Sequence, residues 1–513
     1  MKKILTILLA ALLAAGCFAG CTYQGPKPPE EIDKDRTQLY VGVFEGALGY
    51  EWLTEYKKAY EAENPQVQVI IDNKKDDYQD GSLIGKIANS RQDVYFLSGN
   101  NYSTFVDLGL LEDITTTVTE KVYDDEMNLV GEGGTQSIVD AMYDDFEDLY
   151  CVDEKYYGLP NFISPAGIVY DADLFEDPNN NYQIPTTYNE LIALMDRMVI
   201  DQYTPFAFSN LDYITLSVLS NVWASYEGKA NYELNNSFSG CDTGLKQGIN
   251  KDNAYLLQQQ EGRKAALKFA KDVMSKNSYT TSKTRSGQTH RNAQDEFIRS
   301  IYSTSAESKR VAMFLESSYW ETEAKSTFQA LGRIEEEWGF GKRNFKFMPF
   351  PKFVGTEGIK DQVNQKQTVF CSNTASMVCI NKASDQKELA KDFLQFVHSR
   401  KNLAIYTQYT SCVRPFEFEM TADELAACTP FGRSIYEVVN DPDIELTYDL
   451  SVSPIKQKNG EEFVNNFKFG TDLGRSPFTI FYNNQDLSVA DYFAKMQEYW
   501  SAEDWASLYA PQG

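Results

Sequence analysis

Apolar residues along this chain follow two rhythms, and the switches between them mark out its elements. Residues 39–44, 67–71 and 94–97 are short runs rich in β-branched and aromatic side chains and read as strands. Between the first two, Trp52, Tyr56, Ala59 and Tyr60 recur every three or four positions, as one helix face does, until Asn64 and Pro65 end the pattern. Residues 83–90 are compatible with a second helix. Strand, helix, strand, helix, strand predicts parallel pairing through crossovers, and ligands of such sheets sit beyond the carboxyl ends of the strands. The loops at 45–49 and 98–103 are therefore the first place to look for a site. Farther along, Thr187 and Glu190 make a capping box ahead of Leu191, Ile192, Met195, Met198 and Val199, which predicts a helix. Asp385 and Glu388 repeat the arrangement ahead of Leu389, Phe393, Phe396 and Val397, and residues 375–380 before them read as a strand. Beyond about residue 414 the pattern turns helical and irregular, and no repeat of fixed period occurs.

The amino terminus follows a different logic. Lys2 and Lys3 precede an uncharged run over residues 4–15, then small residues, then Cys17, which is the pattern of an export signal. A dozen residues reach about 18 Å as a helix, short of the roughly 30 Å hydrocarbon core, so cleavage is expected rather than a permanent span. Small residues set directly against a cysteine resemble the bacterial lipobox, whose cysteine is lipidated. The match occurs twice, at Ala14-Ala15-Gly16-Cys17 and at Phe18-Ala19-Gly20-Cys21, so Cys17 and Cys21 are both candidate lipidation sites. Residues 1–21 are read as the signal and 22–37, with Pro26, Pro28, Pro29, Glu30 and Glu31, as a flexible tether. No later run reaches 18 consecutive apolar residues, so the chain is not expected to move a solute across a bilayer by itself.

Composition then removes whole classes of function. With 513 residues, 42% hydrophobic and 24% charged, the chain is an ordinary globular one with room for two or three domains. A net charge of −26 repels phosphate backbones, which argues against nucleic acid as a partner. Only His290 and His398 occur, far apart, so neither a histidine metal site nor a histidine-centred triad is expected, and no cofactor is implied. Cys151, Cys241, Cys371, Cys379, Cys412 and Cys428 lack any C-x-x-C spacing and are read as buried free thiols. Residues 81–86 lack the four-residue gap of a phosphate loop. Asp177, Asn179 and Asn181 have calcium-loop spacing, but Tyr182 and Tyr188 replace the required Gly and Glu, so Asx turns explain the run better.

Five segments in order resemble the extracellular solute-binding proteins of ABC importers, in particular the carbohydrate-binding family that includes maltose-binding protein. They are Tyr157-Gly158-Leu159-Pro160 with Ile168-Val169-Tyr170-Asp171-Ala172-Asp173-Leu174-Phe175; Pro185-Thr186-Thr187-Tyr188-Asn189-Glu190-Leu191; Ala312-Met313-Phe314 leading to Trp320; residues 345–351; and residues 375–380 with Ala390-Lys391-Asp392-Phe393-Leu394. Two departures stand out: Tyr188 where Trp is usual, and Ser318-Tyr319 in place of a Gly and its neighbour. The resemblance covers about residues 38–430 and implies an α/β, two-lobed periplasmic-binding-protein-like fold with a hinge and an interlobe ligand cleft. It implies crossings near Pro160, Arg310 and Lys382. Lobe one would hold 38–162 and 310–382, and lobe two 163–309 and 383–513.

Such a cleft closes on an unreacted solute. For a saccharide, aromatic faces stack on the sugar ring while carboxylates, amides and guanidinium groups bond its hydroxyls. On the implied cleft the candidates are Glu45, Asn100, Asn101, Tyr102, Asn161, Tyr170, Glu316 and Trp320, with Trp223 and Arg414 beside them. The resulting expectation is a monomeric, non-enzymatic receptor, lipid-anchored to the outer face of the bacterial membrane, that hands a sugar or oligosaccharide to ABC permease subunits. Alternatives are a hydrolase with paired carboxylates, a surface adhesin or scaffold, and the same fold with a peptide or polyamine ligand.

Overall fold

Hydrogen-bond pairing gathers the strands into two main sheets. The computed structural model describes residues 31–73, 83–89, 92–98, 102–210, 214–237, 253–302, 309–363, 366–372, 376–448, 467, 476–503 and 506. In chain order the strands are β1 (Thr37–Val43), β2 (Val67–Asp72), β3 (Val94–Leu97), the hairpin β4 (Cys151–Val152) and β5 (Lys155–Tyr156), and β6 (Gly158–Pro160). They continue with β7 (Ser164–Asp171), β8 (Thr204–Ala207), β9 (Val311–Ser317), β10 (Phe345–Met348), β11 (Gln367–Ser372), β12 (Met377–Ile380) and β13 (Ile444–Tyr448).

The first sheet has the order β2-β1-β3-β12-β6. β1 pairs parallel with both β2 and β3, as the strand and helix alternation predicts, and the helix Glu51–Glu63 makes the first crossover. All four residues of β3 are buried, the pattern of a parallel strand covered on both faces. Trp52 and Tyr56 on that helix pack edge-on against each other, and Trp52 meets Phe96 and Tyr406 at 5.0 Å between ring centres.

The second sheet has the order β13-β11-β7-β9-β8, with β10 also paired to β7. All eight residues of β7 are buried because neighbouring strands and helices cover it from every side. The expected capping box forms at the helix Tyr188–Ile200, which packs on β8: Glu190 Oε2 accepts from the Thr187 amide at 3.0 Å, and Thr187 Oγ1 accepts from the Glu190 amide at 3.3 Å. The one expected at Asp385 does not. Ser384 Oγ instead accepts from the Gln386 amide at 2.9 Å and donates to the buried Asp93 at 2.6 Å, so the helix Lys387–Val397 begins without a side-chain cap. The Asx turn at Asp177 is present, its Oδ1 accepting from the Asn179 amide at 2.8 Å.

The two sheets are joined where paired strands run from one into the other. β6 continues through residues 161–163 into β7, and β11 of the second sheet is followed by β12 of the first as the next described strand. The two ribbons are antiparallel, with Pro160 opposite Met377 in the first sheet and Ser164 opposite Ser372 in the second. A third crossing lies alongside, where Val413 bridges Ile163 and the chain later enters β13.

The crossing expected near Pro160 is in place, but the lobe boundaries at Arg310 and Lys382 need correction. β9, assigned to lobe one, pairs with β7 and β8 in the second sheet, and all its residues are buried there. β11 also belongs to the second sheet, so the crossing placed near Lys382 lies before β12. The helices Lys387–Val397 and Arg400–Thr410, assigned to lobe two, pack on the helix Glu51–Glu63 of the first sheet. The reason is that strand membership is set by pairing across long sequence separations, which the order of local motifs does not encode. Among the described residues, no helix is long and apolar enough to cross a membrane, and Cys151, Cys371, Cys379, Cys412 and Cys428 form no disulfide.

Candidate functional site

Strand direction decides which residues face the gap between the sheets. In the first sheet the carboxyl ends of β1, β2, β3 and β6 and the amino end of β12 share one edge, which is also the edge the crossings leave from. That edge carries Glu45, Asn73, Ser98, Asn161 and Ser376. In the second sheet the amino end of β7 and the carboxyl ends of β8, β9, β11 and β13 share the facing edge. It carries Ser164, Asn210, Glu316, Ser317, Ser318 and Ser372. Amides, hydroxyls and two carboxylates therefore converge at the place where ligands of such sheets bind.

Between the edges, hydroxyl groups knit the crossings together. Ser164 Oγ lies 2.9 Å from Ser318 Oγ and accepts from the Ser318 amide at 3.1 Å. Ser317 Oγ is 3.3 Å from Ser372 Oγ, and Ser318 Oγ is 3.1 Å from Cys412 Sγ. Ser376 Oγ accepts from the Phe162 amide at 3.3 Å. Burial pushes the Cys412 thiol up to about 12, so it serves as a neutral packing group and not as a thiolate. The loop after β1 turns on Gly46, at φ 39°, where a Cβ would stand 2.2 Å from the Phe44 ring. Only glycine lets this loop fold back over Phe44 and hold Glu45 at the edge. There Glu45 Oε2 accepts from Asn73 Nδ2 at 3.4 Å.

Two ion pairs join elements on opposite sides of the hinge. Lys325 Nζ, on the helix after β9, lies 2.9 Å from Glu51 Oε1, on the helix after β1. Burial raises the Glu51 carboxyl, but the hydrogen bond and charge of Lys325 outweigh it and hold the group below the ordinary carboxylate range. Lys229 Nζ lies 2.6 Å from Asp145 on the helix Asp144–Tyr150 that precedes β6.

Of the ten candidate ligand residues, the structure brings Glu45, Asn161 and Glu316 to the facing edges. Asn161 is buried there with Oδ1 lacking a hydrogen-bond partner, and Glu316 Oε1 accepts from the Ser317 amide at 3.0 Å. Asn100 and Asn101 lie outside the described residues, as do Cys17 and Cys21.

Five candidates are core groups instead. Tyr102 donates to the Tyr150 carbonyl at 2.7 Å and accepts from the Tyr157 amide at 3.1 Å inside the first lobe. Tyr170 sits at the far end of β7, its ring 4.7 Å from Phe175. Trp223 is wholly buried, bonds Gln260 Oε1 at 2.9 Å and carries the Arg263 guanidinium 3.7 Å above its ring. Trp320 is wholly buried among Phe297, Phe314, Phe328, Phe345 and Phe431. Arg414 is wholly buried against Trp52, Tyr56, Phe96 and Tyr406. In each case long-range packing, invisible in a single sequence, turned an amphipathic side chain inward.

The sequence reading passed over Asn73, Asn210 and the serines at 164, 317, 318, 372 and 376. Their signal was available: small polar residues directly beyond apolar runs, as in Glu316-Ser317-Ser318 after residues 311–315.

Comparison with known proteins agrees with this architecture. Three solved structures share the fold: apo RafE from Streptococcus pneumoniae, at 14% identity and a TM-score of 0.56 over 93% of this chain and 100% of that one; a probable secreted solute-binding lipoprotein from Streptomyces coelicolor, at 14%, 0.59, 91% and 99%; and the maltotriose binding protein of Thermus thermophilus bound with maltotriose, at 16%, 0.52, 90% and 99%. No curated protein sequence matches the chain. The family model for bacterial extracellular solute-binding proteins matches residues 46–404, well over half of the chain. The chain is therefore a two-lobed α/β member of the bacterial extracellular solute-binding protein family.

Proposed function

We propose that this protein is the membrane-tethered binding component of an ABC importer that captures a sugar or oligosaccharide between its lobes and delivers it unreacted to the permease. The observation that carries the reading is the convergence of Glu45, Asn161, Asn210, Glu316 and the hydroxyl row at the crossings, on two sheet edges linked by paired strands. Amides and carboxylates suit the many hydroxyls of a saccharide, and closure of one edge toward the other supplies the extra contacts that favour the bound state. The Thermus relative was solved with maltotriose and RafE also with raffinose, which supports the same ligand class. Export, a lipid anchor at Cys17 or Cys21 and a tether between that cysteine and the first sheet are the natural partners of this role.

The test is thermal unfolding across a panel of saccharides, polyamines and peptides, with product analysis of each mixture. A stereospecific saccharide raises the melting temperature and is recovered unchanged. Stabilisation by a polyamine or peptide alone overturns the ligand class, and sugar turnover overturns the receptor role in favour of a hydrolase.

A further inference from the structure

Arg414 is a buried cation, and no carboxylate bonds it among the described residues. It directly follows the crossing in which Val413 bridges Ile163. A guanidinium stays protonated in proteins and offers five N–H donors. Here one of them, on Nη1, donates to the Val397 carbonyl at 3.3 Å, while Nε and Nη2 have no partner. The rings of Tyr406, Phe96, Trp52 and Tyr56 surround Cζ at 4.7, 5.4, 5.7 and 5.9 Å. Aromatic faces offset part of the lost hydration but leave those N–H groups without a lone pair to bond.

The neighbouring polar atoms are orphaned too. His398 caps the end of the helix Lys387–Val397, while Asn402 and Tyr406 lie one turn apart on the helix Arg400–Thr410, and His398 Nε2, Asn402 Oδ1 and the Tyr406 hydroxyl all lack partners although their residues are buried. His398 Nδ1 lies 2.8 Å from the Leu394 carbonyl and is therefore the protonated nitrogen, which leaves Nε2 as an acceptor. Burial and the charge of Arg414 hold His398 down to about 3, so the ring is neutral and does not add a second cation. An uncompensated charge thus lies beside the ring of Tyr406, whose hydroxyl is unused, and close enough to His398 to depress it, just after the third crossing.

We propose that Arg414 Nε and Nη2, together with the Tyr406 hydroxyl, hold a buried monovalent anion of chloride size. Water alone would use the hydrogen bonds but leave the charge uncompensated, whereas a halide accepts from all three donors and neutralises the guanidinium. His398 Nε2 and Asn402 Oδ1, both acceptors, take hydrogens from water beside the ion. The anion ties the crossing segment to the helix Arg400–Thr410, so occupancy stabilises the folded chain.

The full chain is melted in sodium chloride, sodium bromide and sodium gluconate at equal ionic strength, and crystals grown with sodium bromide are examined for anomalous scattering. The expected result is a saturable rise in melting temperature with either halide but not gluconate, and a bromide peak beside Arg414. Tyr406→Phe removes one donor without breaking any protein hydrogen bond and raises the half-saturating bromide concentration about fivefold. Arg414→Met abolishes the response. Equal melting in all three salts overturns the proposal, as does a bromide map without a peak beside Arg414, or a Tyr406→Phe variant with unaltered halide response.

Discussion

Replacing Trp320 by alanine separates a core role from a ligand role. The indole is wholly buried, with Phe297, Phe314, Phe328, Phe345 and Phe431 at 5.3–5.8 Å between ring centres. Burying a tryptophan removes roughly 200 Å² from water, which at 25 cal/mol per Å² is about 5 kcal/mol. Nε1 has no hydrogen-bond partner, and removing a buried unsatisfied donor returns about 1–3 kcal/mol. The net loss is therefore about 3 kcal/mol, within the range of aromatic truncations in cores. Trp320→Phe keeps most of the packing and deletes the orphan donor, so its loss is about 1 kcal/mol or less. Urea unfolding followed by far-ultraviolet circular dichroism measures both, since fluorescence changes with the substitution itself. With a slope of about 3 kcal/mol per M, Trp320→Ala lowers the midpoint by about 1 M. An unchanged midpoint combined with weaker saccharide binding would refute the reasoning and make Trp320 a stacking platform after all.

Two further outcomes follow from buried charge. Asp171 Oδ2 accepts from Arg310 Nε at 2.9 Å and Nη2 at 2.6 Å and from Arg343 Nη2 at 2.6 Å. Asp171→Ala leaves the buried Arg343 without its counter-charge and costs about 3–5 kcal/mol, read as a fall in melting temperature. Glu321 is pushed up to about 7 by burial, against hydrogen bonds from Thr429 and Ser411. A carboxyl raised in the folded state favours folding at low pH, so its contribution is full below about pH 4.5 and is lost as pH climbs through about 7. Glu321→Gln keeps an uncharged acceptor there. The variant gains stability relative to the parent as pH rises across that window, and unfolding midpoints that track the parent at every pH would reject the assignment.

What the sequence determined by itself is local. The parallel unit of β1, β2 and β3 was legible because strand and helix periods and the Asn64-Pro65 stop are encoded within short windows. The capping box at Thr187 and the Asx turn at Asp177 were legible for the same reason, since donor and acceptor lie within three residues. The paired crossings behind Pro160 were implied by ordered motifs, and Glu45, Asn161 and Glu316 stand at strand ends where the expected site lies. Only the tertiary structure decided the rest. β9 joins the second sheet through Ala166 opposite Ser317, a pairing that depends on groups some 150 positions apart. Trp320, Trp223 and Arg414 have the chemistry of ligand contacts, yet an amphipathic ring or guanidinium goes wherever distant apolar partners surround it. Phe297, Phe345 and Phe431 reach Trp320, and Trp52, Tyr56 and Phe96 reach Arg414, from other parts of the chain, so no local pattern announces their burial. Local hydrogen bonds and periodicity write elements into a sequence, whereas long-range packing settles which face of a versatile side chain meets solvent.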